Sequence, residues 1–438
     1  MSSNLGSGPK LAHQHQLGEH GRERQNIPSR ITRRCAKVRP TRHPILVLRM
    51  IPFNPHVRDT GTPPIPEAQG WARHYDGSRG PLIDLSQAVP GYPPHPDLLK
   101  RLAEAAGTTA AAKYGDIYGD HSLREVLAAE LTSLYRGKVE ADEIAITSGC
   151  NQAFVLVAIA LAKAGDNILL PAPWYFNHQM TLNMLGVEPR ALPAHATNNF
   201  IPDPIEAEGL IDSSTRAIVL VTPNNPTGAI YPPATIAAFA ALCRQKNIWL
   251  IVDETYRDFL PEGYGQPHAL FNEHGWQGNV LSLYSFSKSY CIPGHRVGAI
   301  IGGQAILDEI GKVIDCVQIC APRAAQTALT WAIPSLNDWR ANNTRETTLR
   351  AAAFREAIAA SPGWTLNSIG AYFAYVTHPF KDTSVFQVAE KLAAERGVLG
   401  LPGPWFGPGQ EHHLRLAFAN VAIDPIRDIP NRLAGFHI

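Results

Sequence analysis

Apolar residues recur along this chain with two different periods, and the changes between them outline its architecture. In His121–Tyr135, Leu123, Val126, Leu127, Leu131 and Leu134 fall on one face at helical spacing, and Ser122 with Glu125 predicts a capping box in front of it. Short unbroken apolar runs follow at Ile144–Thr147 and at residues 168–170, 217–221, 248–252, 280–284 and 297–301, with helix-period segments such as 236–244 between several of them. Buried strands alternating with helices predict an α/β fold with a mostly parallel sheet covered on both faces. Such sheets bind ligands beyond the carboxyl ends of their strands.

After about residue 320 the pattern changes. Residues 347–360 and 384–395 read as helices, Gly397 as the residue that ends the second, and 371–377 and 413–418 as strands. The expected organisation is a basic, unstructured extension over 1–70, a segment 71–110 contributing to a small domain, a large α/β domain over 111–320, and a smaller α+β domain over 321–438. No internal repeat is present.

Composition narrows the possibilities. With 45% hydrophobic and 18% charged residues in 438, the chain can bury large cores. The longest apolar run, 153–162, is far short of the ~20 residues that span a bilayer, so no membrane segment is expected. A net charge of +1 gives no basic field for a nucleic acid. Six cysteines without a CxxC pair fit reduced thiols and a cytoplasmic setting. Residues 1–60 hold eleven Lys/Arg against Glu19, Glu23 and Asp59, but show neither an amphipathic period nor an apolar signal core. That arm reads as a solvated extension, or as sequence ahead of a true start at Met50.

Four clusters carry chemistry, and each also has a plain structural reading. Ser285-Phe286-Ser287-Lys288 follows the run 280–284, with Arg296 shortly after. A lysine at a buried strand end is partly desolvated, which lowers its pKa and frees an amine able to form an imine; taken singly, such a lysine is more often a surface cation. Asp253-Glu254-Thr255-Tyr256 follows the run 248–252. A carboxylate there must be paired, by a protonated pyridine nitrogen or, as is commoner, by a helix start that it caps. Pro223-Asn224-Asn225-Pro226-Thr227-Gly228 is a rigid turn that can present amide donors into a cleft. In Thr147-Ser148-Gly149-Cys150-Asn151-Gln152 a strand passes through glycine into a helix, whose first N–H groups are an anion site. No metal-ligand spacing is evident.

Taken together and in this order, these motifs resemble those of the class I/II aminotransferases of the fold-type I pyridoxal-phosphate (PLP) family, from about residue 80 to the end. The resemblance implies a seven-stranded, mostly parallel sheet in the large domain. It implies that Lys288 forms the imine with PLP and later moves the substrate proton. Asp253 would keep the pyridine nitrogen protonated, Asn225 and Tyr256 would donate to the phenolic oxygen, and Tyr175 would stack on the ring. Gly149, Cys150, Asn151, Ser285, Ser287 and Arg296 would bind the phosphate, and Tyr114 would reach it across the interface of a homodimer with shared sites. Arg415 would grip the substrate carboxylate, with Asn225 and Ala88 beside it. Ala88 stands where relatives often carry Gly, Cys150 where Gly or Ala is usual, and Thr255 where an aliphatic is common and little effect is expected.

The activity implied is ping-pong transfer of an amino group from an L-amino acid to a 2-oxo acid. The alternative on the same scaffold is a PLP-dependent lyase, either a C–S β-lyase or similar to aminocyclopropane-carboxylate synthase. A transcription regulator would need an apolar helical module in the first 70 residues, and a non-catalytic relic would not retain Lys288, Asp253 and Arg415 together.

Overall fold

The computed structural model describes residues 51–438; the expectations for residues 1–50, including a start at Met50, lie outside the described residues. Seven strands form the large sheet: β1 (Ile144–Thr147), β2 (Asn167–Ala172), β3 (Glu188–Pro193), β4 (Thr215–Val221), β5 (Trp249–Asp253), β6 (Val280–Ser285) and β7 (Gly298–Ile301). Their order is β1-β7-β6-β5-β4-β2-β3. All neighbours from β6 through β3 are parallel, and β7 runs against both β6 and β1. Nearly every residue of β1, β2, β4, β5, β6 and β7 is buried, as unbroken apolar runs under two helical layers require. β3 had no apolar signature. It contains Pro189 and Pro193, which an edge strand tolerates because one side of its ladder is unpaired.

Helices α1 (Pro64–Ala72), α2 (Pro96–Ala106) and α3 (His121–Tyr135) precede the sheet; α4 (Cys150–Leu161) and α5 (Phe176–Leu185) lie among its strands. α3 spans the predicted residues and buries Leu123, Leu127 and Leu131. The Ser122–Glu125 capping box is not formed, because Asp120 is the N-cap and Ser122 already lies within the helix. Glu125 instead meets His121 at 3.4 Å.

The smaller layer is an antiparallel sheet of β8 (Thr365–Gly370), β9 (Phe373–Thr377), β10 (Leu401–Pro402) and β11 (His413–Ala417), ordered β10-β11-β9-β8. A long helix, α6 (Asn337–Ala359), leads into it. Gly397 ends the helix Val385–Arg396 in a left-handed conformation, φ 63°, as its position predicts.

The expected domain boundaries are corrected in three places. Residues 64–72 are helical rather than part of an unstructured extension, because Ala68 is buried with Leu399, Leu401 and Phe406. Residues 71–110 divide: Ile83–Asp84 pairs with Val398–Leu399, whereas Leu98 and Leu102 of α2 enter the core of the large sheet beside α3. The helix Arg323–Ser335 joins the same core through Ala328, Leu329 and Ile333, so the change of layer falls within α6 rather than at 320. In each case burial of an apolar face decided the partner.

Candidate active site

The loops beyond β1, β2, β4, β5 and β6 meet at one edge of the sheet, where parallel strands present their carboxyl ends. A cavity of about 610 Å³, counting its open mouth, lies there. Ten of the residues singled out from sequence line it: Cys150, Asn151, Tyr175, Asn225, Asp253, Tyr256, Ser285, Ser287, Lys288 and Arg296.

Asp253 ends β5, opposite Val221 and Leu283 of the flanking strands, and is buried. Its Oδ1 accepts from the Thr255 N–H at 3.0 Å and the Thr255 hydroxyl at 2.7 Å, and the Cys150 thiol lies 3.6 Å away. Its Oδ2 lies 3.2 Å from His178 Nε2. Burial pushes this carboxyl upward, but the His178 and Thr255 hydrogen bonds outweigh it and hold the pKa below the usual range. Thr255, expected to matter little, thus supplies two of the bonds that keep Asp253 ionised. His178 was missed altogether. Its only signal was its place three residues after Tyr175 on the first turn of α5, with Phe154 stacked on it at 4.0 Å.

Lys288 lies on a short helical turn capped by the Ser285 hydroxyl, which accepts the Ser287 N–H at 3.3 Å. Its Nζ donates to the Ala88 carbonyl at 2.6 Å. Burial, and then the nearby Arg296 and Arg415 charges, lower its pKa to about 8. The amine is therefore available as a nucleophile or base near neutral pH, where an ordinary lysine is not.

Gly149 precedes α4 with φ +87°, a conformation that favours glycine, and a Cβ there would collide with Arg296 Nη2. The first N–H groups of α4 have no side-chain cap. Among the described residues Arg296 donates only to the Pro293 and Ser148 carbonyls, at 3.0 and 3.3 Å. With Ser285 and Ser287 these donors form a cationic end suited to a phosphate. In the turn after β4 the two asparagines divide their tasks. Asn224 is tied to Thr227 and Tyr231, while Asn225 Oδ1 accepts from Arg415 Nη1 at 3.3 Å. The Tyr256 ring lies 6.0 Å from Lys288 Nζ, and the Tyr175 hydroxyl donates to Asn151 at 3.3 Å. Burial lifts the Tyr175 hydroxyl to about 12, so it stays a donor.

Arg415 comes from β11 of the smaller sheet and is 2% exposed. It also donates to the Ser86 carbonyl and lies 5.3 and 5.1 Å from the Phe373 and Phe406 rings. Among the described residues no carboxylate pairs with it, its Nε has no partner, and burial lowers its pKa to about 10. Ala88 enters through its carbonyl alone. Tyr114 is not brought to this cavity: it is 77% exposed, on a separate cleft with Gln318 and Cys320.

A buried amine of lowered pKa, a buried carboxylate, the side chains of Asn225 and Tyr256 and the cationic end are a set that fits PLP in chemistry and in order.

Comparison with known proteins agrees. The family model for aminotransferase class I and II matches residues 80–432. The chain is 30% identical to arginine–pyruvate transaminase of Pseudomonas aeruginosa, over 73% of this chain and 81% of that protein. It is 26% identical to an aromatic aminotransferase of Arabidopsis thaliana, over 80% and 88%. A solved structure of Thermus thermophilus aspartate aminotransferase with maleate superposes with a TM-score of 0.79 at 24% identity, covering 88% of this chain and 99% of that one.

Proposed function

The chain belongs to the class I and II aminotransferases, PLP-dependent enzymes acting on amino acids and 2-oxo acids, and on that premise we propose that it moves the amino group in ping-pong fashion with Lys288 as the covalent anchor of PLP. PLP held by these residues would supply an electron sink for the donor Cα and a carrier for the amino group. Lys288 Nζ takes the proton from the donor Cα and later returns one to the acceptor. Asp253 holds a proton on the ring nitrogen, and His178 and Thr255 keep Asp253 ionised for that task. Asn225 and Tyr256 orient the ring through its phenolic oxygen, while the α4 N–H groups, Ser285, Ser287 and Arg296 fix the phosphate.

The observation that carries this reading is Arg415. A buried guanidinium without a carboxylate is costly, and the α-carboxylate of an amino acid, gripped bidentately, removes that cost. Tyr114, exposed on one chain, is proposed to reach the phosphate of a second copy in a homodimer. Among the described residues no helix is long and apolar enough to cross a membrane, and the five cysteines there are free; with that cysteine usage we place the enzyme in the cytoplasm. The relatives' names span arginine, aromatic and aspartate donors, so what they share is the substrate class.

The test is the visible spectrum of the purified protein during addition of L-amino acids. A band lost on borohydride reduction and absent from Lys288→Ala is expected, converted by one donor and restored by a 2-oxo acid. Ammonia and a 2-oxo product without that reversal would make the chain a lyase. Failure to bind added PLP would end the reading.

A further inference from the structure

The turn that leads into α4 is gripped by a closed ring of three side chains, one of which comes from 170 positions later in the chain. The Ser148 N–H donates to Gln152 Oε1 at 2.6 Å, Gln152 Nε2 donates to Gln318 Oε1, and Gln318 Nε2 donates back to the Ser148 hydroxyl. The Ser148 carbonyl accepts from Arg296 Nη2 at 3.3 Å. Every polar group of Ser148 is thus engaged, immediately ahead of Gly149 and the first residue of α4.

This ring does what the cap of the helix cannot. Gly149 is the N-cap residue, and without a side-chain oxygen it leaves the first turn unfixed. Its backbone is also the freest of any residue, so the aim of the α4 N–H groups depends on what holds its neighbours. Gln152 supplies an acceptor one residue upstream. Gln318 in turn sets which way the Gln152 amide faces, by accepting from its nitrogen and leaving its oxygen for Ser148.

Gln318 is itself held firmly. It follows the helix Gln304–Val317, and its N–H and that of Ile319 both donate to the Ile314 carbonyl, at 2.9 and 3.0 Å. Ile319 then adopts φ +70°, in the left-handed region that a β-branched residue rarely enters. Such backbone persists where surrounding contacts over-determine it, and the two amide bonds of Gln318 are contacts of that kind. None of the three ring residues lines the cavity, so their action on it runs through Gly149, α4 and Arg296.

We infer that Gln318 is a positioning residue for the phosphate end of PLP: it locks the Ser148 turn so that the first N–H groups of α4 and the Arg296 guanidinium converge on one dianion. The groups suited to the ring nitrogen, the phenolic oxygen and the imine lie on other elements and do not depend on it. The inference rests on the phosphate reading of the α4 start and adds the residue that holds that start in place.

The full-length cofactor-free chain is titrated with PLP and with pyridoxal, which lacks the phosphate, and imine absorbance is followed. Gln318→Ala should raise the dissociation constant of PLP about tenfold, on the scale of a lost hydrogen bond, and that of pyridoxal less than about twofold. Gln152→Ala should do the same, and the double variant should be no weaker than either single one, because each opens the same ring. If Gln318→Ala does not fold, Gln152→Ala decides the same comparison. Equal weakening of both ligands, which a general loss of structure would give, overturns the role, as does PLP affinity that neither variant moves. Wild-type enzyme that binds pyridoxal as tightly as PLP would overturn the phosphate site itself, and this role with it.

Discussion

Of the regions of this molecule that bury arginine, two do so in opposite ways. Behind the Lys288 turn, Arg257 and Arg340 share Glu130, at 3.1 Å and a shorter contact of 2.5 Å, and Arg340 also reaches Asp258 at 3.3 Å. The Tyr284 hydroxyl donates to Asp258 at 2.7 Å, and the Arg257 guanidinium lies 3.7 Å over its ring. Beside Asn225 of the cavity wall, Arg415 has carbonyl and amide oxygens but no carboxylate among the described residues. Fold stability explains the first arrangement, where each buried charge has its counter-charge. It does not explain the second, whose missing anion is the signature of a ligand. Burial of a charge alone is thus uninformative; the inventory of its partners separates scaffold from site.

Four substitutions and a pH series would break or sharpen that contrast. Lys288→Ala should have the largest effect, reducing turnover to background and abolishing borohydride-trapped cofactor in intact-mass measurement. Arg415→Ala should lower kcat/KM about 10³-fold, or ~4 kcal/mol for a desolvated charge pair with substrate, without lowering the melting temperature. Arg415→Ala that melts early but keeps its kcat/KM would erase the distinction between the two regions. Glu130→Gln is the mirror image: it leaves the buried Arg257 without its paired carboxylate and should destabilise the fold by about 3 kcal/mol in denaturant titration, while turnover per folded molecule persists.

The pH series concerns Lys288, whose amine titrates near 8 in the fold and near ~10.5 when unfolded. Covalent attachment of PLP to cofactor-free protein should accelerate about tenfold per pH unit up to about 8 and then level off. The cofactor-free fold should also gain stability as pH rises from 8 to about 10.5, where only the unfolded chain still binds that proton. A midpoint near 10 in the attachment rate would mean that the amine is not desolvated. Smallest is Cys150→Ala. Its thiol touches Asp253 only at 3.6 Å, so initial rates should change less than about threefold, within the weak energy of one thiol contact.

How much of this was readable beforehand followed from which forces left a local mark. Strands β1, β2, β4, β5, β6 and β7 announced themselves because burial on both faces demands unbroken apolar runs. β3 did not, because an edge strand can carry Pro189 and Pro193. Residues whose task depends on sequence neighbours, such as Lys288 after Ser285 or Asp253 after its strand, could be picked out; the structure gathers ten of them around one cavity. His178 could not, since what singles it out is a 3.2 Å contact with a residue 75 positions later. Thr255 was read as a neutral exchange for the same reason: its two bonds to Asp253 exist only in the folded turn. The layer boundaries were misplaced where a helix could have covered either sheet, as with α2 and Arg323–Ser335.

The long helix α6 gives the two layers a mechanical relation. Near its start Arg340 is riveted to Glu130 and Asp258. Near its middle Arg350 donates to the Ala419 carbonyl beyond β11, and Phe354 is embedded in the core of the smaller sheet. The helix is a shaft clamped near its start to the floor beneath Lys288 and further along to the turn that follows the strand bearing Arg415. Any swing of the smaller sheet about a captured substrate must therefore twist or flex this shaft, and its torsional stiffness sets how sharply the carboxylate anchor and the amine move in step.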